Sequence, residues 1–288
     1  MENNIVVGYT TGVFDMFHIG HLNILRTAKS LCDYLIVGVS TDELVIKEKH
    51  KLPIIPFEQR CAIVESIRFV DKVVPQIDKN KLSAYERLHF DKMFVGSDWQ
   101  NTSAFINYER QFEPYGVQII YIPHTDGISS SLLRERIENN IQFIHNYQRG
   151  GGRVIGFTSG VFDMFHIGHL NILKQARKRC DYLIVAVSKD ELVKLYKGKT
   201  PIKSFTERYS IIESCRYVDA VISQDDMDKY KIWEETKFDI MFHGSEWKGS
   251  PLYLQYERQF QEVGVKVEYL QNTNGISSTL LRNKLLNV

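Results

Sequence analysis

The chain has 288 residues, of which 43% are hydrophobic and 25% are charged, and its formal net charge at pH 7 is +1. This composition is typical of soluble globular proteins, and the length is sufficient for two domains that each bury a core. The balanced charge, without a basic block, argues against a nucleic-acid partner. No apolar run reaches the length that spans a membrane, so we expect no membrane association.

The ends and the cysteines point to a cytoplasmic protein. The first twelve residues contain neither a basic segment nor a long apolar one, so we expect no signal peptide. The four cysteines form no C-x-x-C pair, and we expect them to be buried, reduced thiols: Cys32, Cys61, Cys180 and Cys215.

The first predicted elements are a strand and a helix with two histidines between them. Residues 5–10 are apolar and β-branched, which indicates a buried strand. Residues 20–31 carry apolar side chains at helical spacing, which predicts a helix. His18 and His21 therefore lie where the strand passes into the first turn of the helix.

Further along, strands and helices alternate. We predict strands over 33–40, 72–74, 91–96 and 117–122, helices over 56–69, 103–115 and 132–147, and a lysine-rich loop with about one helical turn over 41–51. Such alternation predicts an α/β fold with a parallel sheet covered on both faces. Ligands bind such sheets at the carboxyl ends of the strands, where the histidines, the loop at Gly96 and the helix start at Gly127 would meet.

The whole pattern occurs twice. The run GVFDMFHIGHLNIL is identical in both halves, and the offset of 148 residues places His166 and His169 opposite the first pair of histidines. The offset holds without insertion or deletion as far as Gly275. We therefore predict two complete domains, residues 1–148 and 153–288, joined by a glycine-rich linker over 149–152.

Two imidazoles at the start of a helix are suited to phosphate. The first helical turn presents free backbone N–H groups and the positive end of the helix dipole. Gly12 permits a tight turn and Gly20 a close approach of a ligand, while both histidines can donate hydrogen bonds. A lone histidine here would be an ordinary polar residue, but the pair in this setting favours phosphate binding.

These residues resemble the HxGH nucleotidyltransferase superfamily, and within it the cytidylyltransferases. The similarity covers nearly all of 5–138 and 153–286. It includes R-[FY]-V-D at Arg68 and Arg216, GSDW and GSEW beside the family's GDDW, and GISSS and GISST beside GISTT. The glycerol-3-phosphate enzyme is the nearest type, whereas the tandem arrangement is similar to that of the ethanolamine-phosphate enzyme.

The resemblance implies roles for many residues in both copies. As catalytic residues it implies His18, His21, Lys49, Lys51, His166, His169, Lys197 and Lys199. As nucleotide-binding residues it implies Thr11, Gly12, Val13, Phe14, Asp15, Gly20, Arg60, Arg68, Gly96, Asp98, Trp99, Thr125, Gly127, Ile128, Ser129 and Ser130, and in the second copy Ser159, Gly160, Val161, Phe162, Asp163, Gly168, Arg208, Arg216, Gly244, Glu246, Trp247, Thr273, Gly275, Ile276, Ser277 and Ser278. The loop lysines could equally be solvated, and the arginines could form surface salt bridges.

The implied fold has two tandem doubly wound, Rossmann-like domains with strand order 3-2-1-4-5. The implied reaction transfers CMP from CTP to a small phosphorylated alcohol, with Mg²⁺ held by the triphosphate and water rather than by a protein metal site. Asp15 either orients a water of that ion or caps the turn. Glycerol 3-phosphate is the favoured acceptor, and phosphoethanolamine or phosphocholine is the alternative.

Other interpretations remain. An adenylyltransferase of the same superfamily is one, and a non-catalytic nucleotide-binding second domain is another. A class I aminoacyl-tRNA synthetase is disfavoured because the chain has no KMSKS segment. Two departures from the family, His124 and Asn272 where it has arginine, and Glu246 where the first copy has Asp98, lead us to expect the first site to be the better catalyst. We expect the domains to pack as a pseudo-twofold dimer, and homo-oligomers of the whole chain stay open.

Overall fold

The computed structural model describes residues 5–123, 130–148 and 152–286. The chain divides into two compact units, Met1–Asp126 and Gly127–Val288, which we call unit 1 and unit 2. Within the described ranges, no helix is both long and apolar enough to cross a bilayer. The predicted sites at Thr125, Gly127, Ile128 and Ser129, together with His124, lie outside the described residues.

Unit 1 alternates strands and helices as predicted. Its strands are β1 Val7–Gly12, β2 Tyr34–Ser40, β3 Lys72–Gln76, β4 Lys92–Gly96 and β5 Gln118–Ile122. Its helices are α1 Ile19–Ser30, α2 Asp42–Lys49, α3 Phe57–Glu65, α4 Lys81–Leu88 and α5 Ser103–Phe112. The five strands form one parallel sheet in the order β3-β2-β1-β4-β5, which confirms the predicted order.

Unit 2 begins with α6 Ser130–Gln148 and then repeats the same succession. Its strands are β6 Ile155–Gly160, β7 Tyr182–Ser188, β8 Ala220–Gln224, β9 Ile240–Gly244 and β10 Lys266–Leu270. Its other helices are α7 Ile167–Arg177, α8 Asp190–Lys197, α9 Phe205–Glu213, α10 Lys229–Thr236, α11 Pro251–Glu262 and α12 Ser278–Leu286. The parallel order is β8-β7-β6-β9-β10, so β6 is central as β1 is in unit 1.

Three helices differ most from the sequence prediction. The lysine-rich segment is helix α2 rather than a loop, because Thr41 caps its N-terminus by accepting a hydrogen bond from the Leu44 amide at 3.2 Å, and Leu44 and Val45 are buried. Helix α4 was not predicted, although its Leu82, Tyr85 and Leu88 pack against the core at helical spacing. Helix α3 also ends four residues before the predicted limit, at Glu65.

Helix α6 packs in the core of unit 2, although the sequence repeat places it at the end of the first copy. Ile144 is fully buried there. The Asn140 side-chain amide donates to the Val221 carbonyl at 2.9 Å, on edge strand β8, and to the Tyr209 hydroxyl at 3.0 Å. Arg136 pairs with Glu213 at 2.6 Å. The repeat records common descent, whereas these contacts place α6 in the compact unit that follows it.

This packing predicts that Ile144→Ala destabilises unit 2 by about 2–5 kcal/mol, the cost of deleting a buried aliphatic side chain. Denaturant unfolding followed by tryptophan fluorescence measures this change. In a Trp99→Phe background the two remaining tryptophans, Trp233 and Trp247, both report on unit 2. Gln142→Ala, on an exposed position of the same helix, is the matched control. Equal midpoints for the two variants would show that α6 is not part of this core.

Candidate functional site

The loop between the first strand and the first helix of each unit has a strained backbone. We call residues 12–21 and 160–169 the histidine loops. Phe14 and Met16 have φ angles of 55° and 48°, and Phe162 and Met164 repeat them at 55° and 52°. Non-glycine residues adopt this left-handed region rarely, at a free-energy cost that the surrounding structure must offset. Because the same strained backbone conformation occurs in both units, it indicates a structural or functional constraint on the histidine loop.

A buried arginine and an aspartate hold the loop of unit 1. The Asp15 carboxylate accepts hydrogen bonds from the backbone amides of Ile54 and Ile55 at 2.8 and 2.9 Å. Arg60 is fully buried and donates to the Val13 carbonyl at 2.5 Å, the Ile55 carbonyl at 3.0 Å and the Asp42 carboxylate at 2.5 Å. These contacts fix the histidine loop to α2, α3 and the segment between them.

Unit 2 repeats this brace. Asp163 accepts from the Ile202 and Lys203 amides at 2.9 and 3.0 Å. Arg208 donates to the carbonyls of Lys203 and Val161 at 3.0 and 2.6 Å, and it pairs with Asp190 at 2.6 Å. The resemblance implied phosphate contacts for the two arginines and ligand contacts for the two aspartates. In the structure, Nε, Nη1 and Nη2 of each guanidinium instead donate hydrogen bonds to protein acceptors, so the arginines brace the histidine loop.

The first histidine of each loop caps its helix. Nδ1 of His18 accepts a hydrogen bond from the Gly20 amide at 3.1 Å, and His166 accepts from Gly168 at the same distance. In the neutral ring the proton then resides on Nε2, which makes this nitrogen a hydrogen-bond donor. A Cβ on Gly20 would lie 3.0 Å from the His18 ring, so glycine allows this fold-back.

The second histidine stacks on the first. The ring centroids of His18 and His21 are 3.8 Å apart, and those of His166 and His169 are also 3.8 Å apart. Burial lowers the pKa of His166 to about 4. Burial, then His166 and Lys197, lowers the pKa of His169 well below its ordinary value. Both rings in unit 2 are therefore neutral hydrogen-bond donors at pH 7 rather than cations.

In unit 2, the helix that was predicted to start near Gly275 begins beside the first histidine of this pair. The Ser278 hydroxyl, at the start of α12, donates to the Asp163 carbonyl at 2.8 Å and lies 3.4 Å from Nε2 of His166. Ser277 caps the helix by accepting from the Leu280 amide at 3.1 Å. Ser130 begins α6 at the equivalent position of the first copy. The start of a helix, a hydroxyl and two imidazoles thus lie close together in unit 2, an arrangement that suits phosphate binding.

Unit 2 has a cavity of about 260 Å³ at this edge of the sheet. Ten predicted residues line it: Ser159, Gly160, Val161, Phe162, His169, Lys197, Gly244, Glu246, Trp247 and Ser278. Other predicted residues lie outside its wall: Asp163, His166, Gly168, Lys199, Arg208, Arg216, Thr273, Gly275, Ile276 and Ser277. Of these, His166 contacts the wall through Ser278. Arg216, like its counterpart Arg68, is exposed in the turn three residues after the preceding helix.

The predicted lysines Lys49 and Lys197 and the predicted tryptophans all lie at the ends of helical segments. Lys49 and Lys197 are the last residues of α2 and α8. Burial, and then the neighbouring Lys199, lower the pKa of Lys197. In unit 1, Lys51 is exposed to solvent. Trp99 and Trp247 end short helical turns that follow Gly96 and Gly244. The Asn272 amide donates to the Glu246 carboxylate, so the acid of this loop is held within the protein in unit 2.

Several cavity residues were not predicted. They are Thr158, Ile172, Ser188, Tyr196, Gln224, Met227, Lys229, His243 and Tyr253. Asn272, which stands where the resemblance predicts arginine, lines the cavity as well. The most unusual is Lys229, which is 3% exposed and whose pKa burial lowers to about 7. Its counterpart Lys81 donates to the Thr11 hydroxyl at 3.1 Å, and burial lowers its pKa to about 8. The signal was present, since the two lysines keep the 148-residue offset, but they begin helices that the sequence did not predict.

Burial of an ammonium group predicts that Lys229→Met stabilises unit 2. The folded-state pKa is about 7 against 10.5 for an ordinary lysine, so the unfolded chain binds more protons between these values. The destabilisation by Lys229 is therefore complete below pH 7 and disappears as pH rises towards 10.5. Each pKa unit is worth about 1.4 kcal/mol, so the variant gains most at pH 7 and less at pH 9.

The fluorescence assay in the Trp99→Phe background measures this gain at both pH values. Lys231→Met, on an exposed position of the same helix, is the control and should change little because it breaks only a surface ion pair with Asp226. A loss of stability at pH 7, or a gain that does not shrink with rising pH, would contradict the burial argument.

Comparisons with known proteins agree with this architecture. A family model for cytidylyltransferase-like proteins matches residues 9–136 and again 157–284. A probable ethanolamine-phosphate cytidylyltransferase from Encephalitozoon cuniculi is 32% identical over 240 residues, 74% of this chain and 74% of its own. The ethanolamine-phosphate cytidylyltransferase of Mus musculus is 27% identical, over 84% of this chain and 76% of its own. The glycerol-3-phosphate cytidylyltransferase of Bacillus spizizenii is 38% identical over 127 residues, 44% of this chain and 92% of its own. The chain belongs to the cytidylyltransferase-like family and carries two copies of its domain.

Proposed function

We propose that the chain transfers CMP from CTP to a small phosphorylated alcohol, giving a CDP-alcohol and pyrophosphate. The observation that carries this proposal is the histidine pair, held on a strained and braced loop at a helix start in both units. An oxygen of the acceptor phosphate attacks the α-phosphorus of CTP. The bond from that phosphorus to the bridging oxygen breaks, and pyrophosphate leaves with the electron pair. The chain therefore needs no nucleophile of its own.

The chain's side chains position the phosphates and offset their charge. Nε2 of His18 and of His166 donates towards α-phosphate oxygens, where negative charge builds up in the transition state. The neutral state of His166 suits this role, because a donor that carries no charge need not gain or lose a proton. Lys49 and Lys197, with Lys51 and Lys199, attract the leaving pyrophosphate and the acceptor phosphate.

Mg²⁺ accompanies the triphosphate in this proposal. Among the described residues no three histidine, cysteine, aspartate or glutamate side chains cluster as a metal site. Asp15 and Asp163 already accept two backbone amides each, so they do not fit the role of direct ligands. The ion would be held by phosphate oxygens and water, as is usual for Mg²⁺ beside a nucleotide.

The names of the relatives suggest two candidate acceptors, phosphoethanolamine and glycerol 3-phosphate. The relatives named for phosphoethanolamine match most of this chain, including both copies, which supports that acceptor. The relative named for glycerol 3-phosphate is more identical but matches a single copy. Because unit 2 retains the brace, the histidines, Lys197 and the serine helix start, we propose that it too is catalytic rather than only a nucleotide-binding module.

Pyrophosphate release from each of CTP, ATP, GTP and UTP against a panel of phosphorylated alcohols tests the proposal. The panel contains glycerol 3-phosphate, phosphoethanolamine and phosphocholine. We expect release with CTP that depends on an acceptor. Release with ATP and none with CTP, for every acceptor, would overturn the choice of nucleotide. No release with any pair of substrates would overturn the function itself.

Paired knockouts separate the two sites. We expect His18→Ala with His21→Ala, or His166→Ala with His169→Ala, to lower kcat of the affected unit by about 10²- to 10³-fold, as for a lost transition-state donor. At low acceptor concentration the first pair should cost more activity, because the longer Glu246 is drawn to Asn272 in unit 2. His145→Ala, on an exposed position of α6, is the control. Intact activity in the first double variant together with its loss in the second would reverse the assignment.

A further inference from the structure

Two side chains on one face of helix α12 fasten it to the histidine loop of unit 2. The Ser278 hydroxyl donates to the backbone carbonyl of Asp163 at 2.8 Å. One turn further along, Nη2 of Arg282 donates to the carboxylate of the same residue at 3.5 Å. Residues four apart lie on the same face of a helix, so both contacts come from one side of α12. The helix start that was predicted to bind phosphate thus has a second link to the loop.

The same arginine also contacts the segment that carries two of the predicted lysines. We call residues 197–200 the lysine turn, since it contains both Lys197 and Lys199. Nη2 of Arg282 donates to the Thr200 carbonyl at 3.2 Å. That carbonyl comes directly after Lys199 in the chain. One guanidinium therefore links α12, the histidine loop and the lysine turn.

Local geometry restricts the lysine turn on both sides of Lys199. Gly198 ends α8 with a left-handed φ of 65°, and its amide donates to the Lys194 carbonyl at 3.0 Å. Thr200 precedes Pro201, which disfavours helical backbone at Thr200 and so favours an extended one. Lys199 therefore lies between two restricted residues, and the arginine fastens the second of them to α12.

The charges of the lysine turn and the histidine loop lie close enough to affect one another. Burial and then Lys199 lower the pKa of Lys197, whereas Asp163 raises it. The side chains of Arg282 and Asp163 are 26% and 8% exposed. Their pair is thus partly shielded from water, unlike the exposed ion pairs that contribute little to stability.

We propose that Arg282 is a positioning residue: it holds the lysine turn against the histidine loop, so that Lys199 meets the phosphates bound by the histidines and the start of α12. This inference rests on the proposed function. Misplacement of a substrate-binding group by about 1 Å can cost about 10²-fold in rate, so a fixed backbone at Lys199 has a large effect. The histidine loop keeps its brace without Arg282, because Arg208 and two backbone amides still hold it.

A double-mutant cycle tests whether the arginine acts through the lysine. The full chain is used, with unit 1 silenced by His18→Ala and His21→Ala. Pyrophosphate release from CTP with the best acceptor is measured for Arg282→Met, for Lys199→Ala and for both together. We expect Arg282→Met to lower kcat by about tenfold, and by less than about twofold once Lys199 is alanine. A residue that acts only through Lys199 loses its effect when that lysine is removed.

Tryptic cleavage measures the lysine turn without reference to activity. Trypsin cuts after lysine, so the rate of cleavage after Lys199, located by mass spectrometry, reports how often the turn opens. We expect Arg282→Met to raise this rate by about tenfold, as for the loss of a charge-assisted hydrogen bond. Cleavage after Lys51, at the same position of the first copy, is the internal control and should not change.

Two further variants complete the design. Arg282→Lys keeps the positive charge and a donor, so it should recover part of kcat and part of the resistance to trypsin. It also gives the result if Arg282→Met does not fold. Lys284→Met removes a cation at an exposed position of the same helix and should match the parent chain in both assays.

Each outcome has a defined meaning. Equal effects of Arg282→Met with and without Lys199 overturn the inference, because the arginine would then act independently of that lysine. An unchanged rate of cleavage after Lys199 overturns it too, as does an inactive unit 2 beside an active unit 1. Release of no pyrophosphate by either unit, with any acceptor, overturns the proposed function instead, and the tryptic rates still decide whether Arg282 holds the turn.

Discussion

The buried guanidinium of Arg60, repeated as Arg208, is the interaction on which the rest of the structure depends. It joins the carbonyl of the histidine loop, the carbonyl before α3 and a carboxylate on α2. A guanidinium presents five N–H donors in one plane on three nitrogens and so holds three acceptors in fixed directions, whereas the three donors of a lysine ammonium share one freely rotating nitrogen. The loop it holds contains two left-handed residues and ends in the stacked histidines. In the proposed function, the contacts of the histidines with phosphate would therefore depend on hydrogen bonds that hold the loop from its far side.

Duplication has kept this brace and altered the cavity around it. Both units retain the arginine, the aspartate and the histidine pair at an offset of 148 residues. The cavity wall has changed, with His243 and Tyr253 in unit 2 where unit 1 has Val95 and Phe105 at the same offset.

Much of the fold could be predicted from local patterns in the sequence, since β1, α1 and their repeats carry clear apolar periodicity. The His-x-Gly-His spacing indicated where the candidate site lies. Contacts between distant segments could not be predicted in the same way. Arg60 lies 47 residues from the Val13 carbonyl it binds, so no local pattern could predict the brace, and the family resemblance implied a contact with phosphate instead. Lys229 was missed because lysine is almost never fully buried, so nothing local marked it as a residue of the cavity. Helix α6 belongs to the first repeat in sequence and to unit 2 in packing.

The central claim is that an acceptor phosphate attacks the α-phosphorus of CTP in these braced loops. Parallel reactions with CTP labelled by ³²P at the α or the γ position, in the presence of the best acceptor, test it most directly. The account predicts that α-label appears in a CDP-alcohol and γ-label in pyrophosphate, in equal amounts. Transfer of γ-label to the acceptor would indicate a kinase, and release of α-label as free CMP would indicate hydrolysis. Either result would contradict the account.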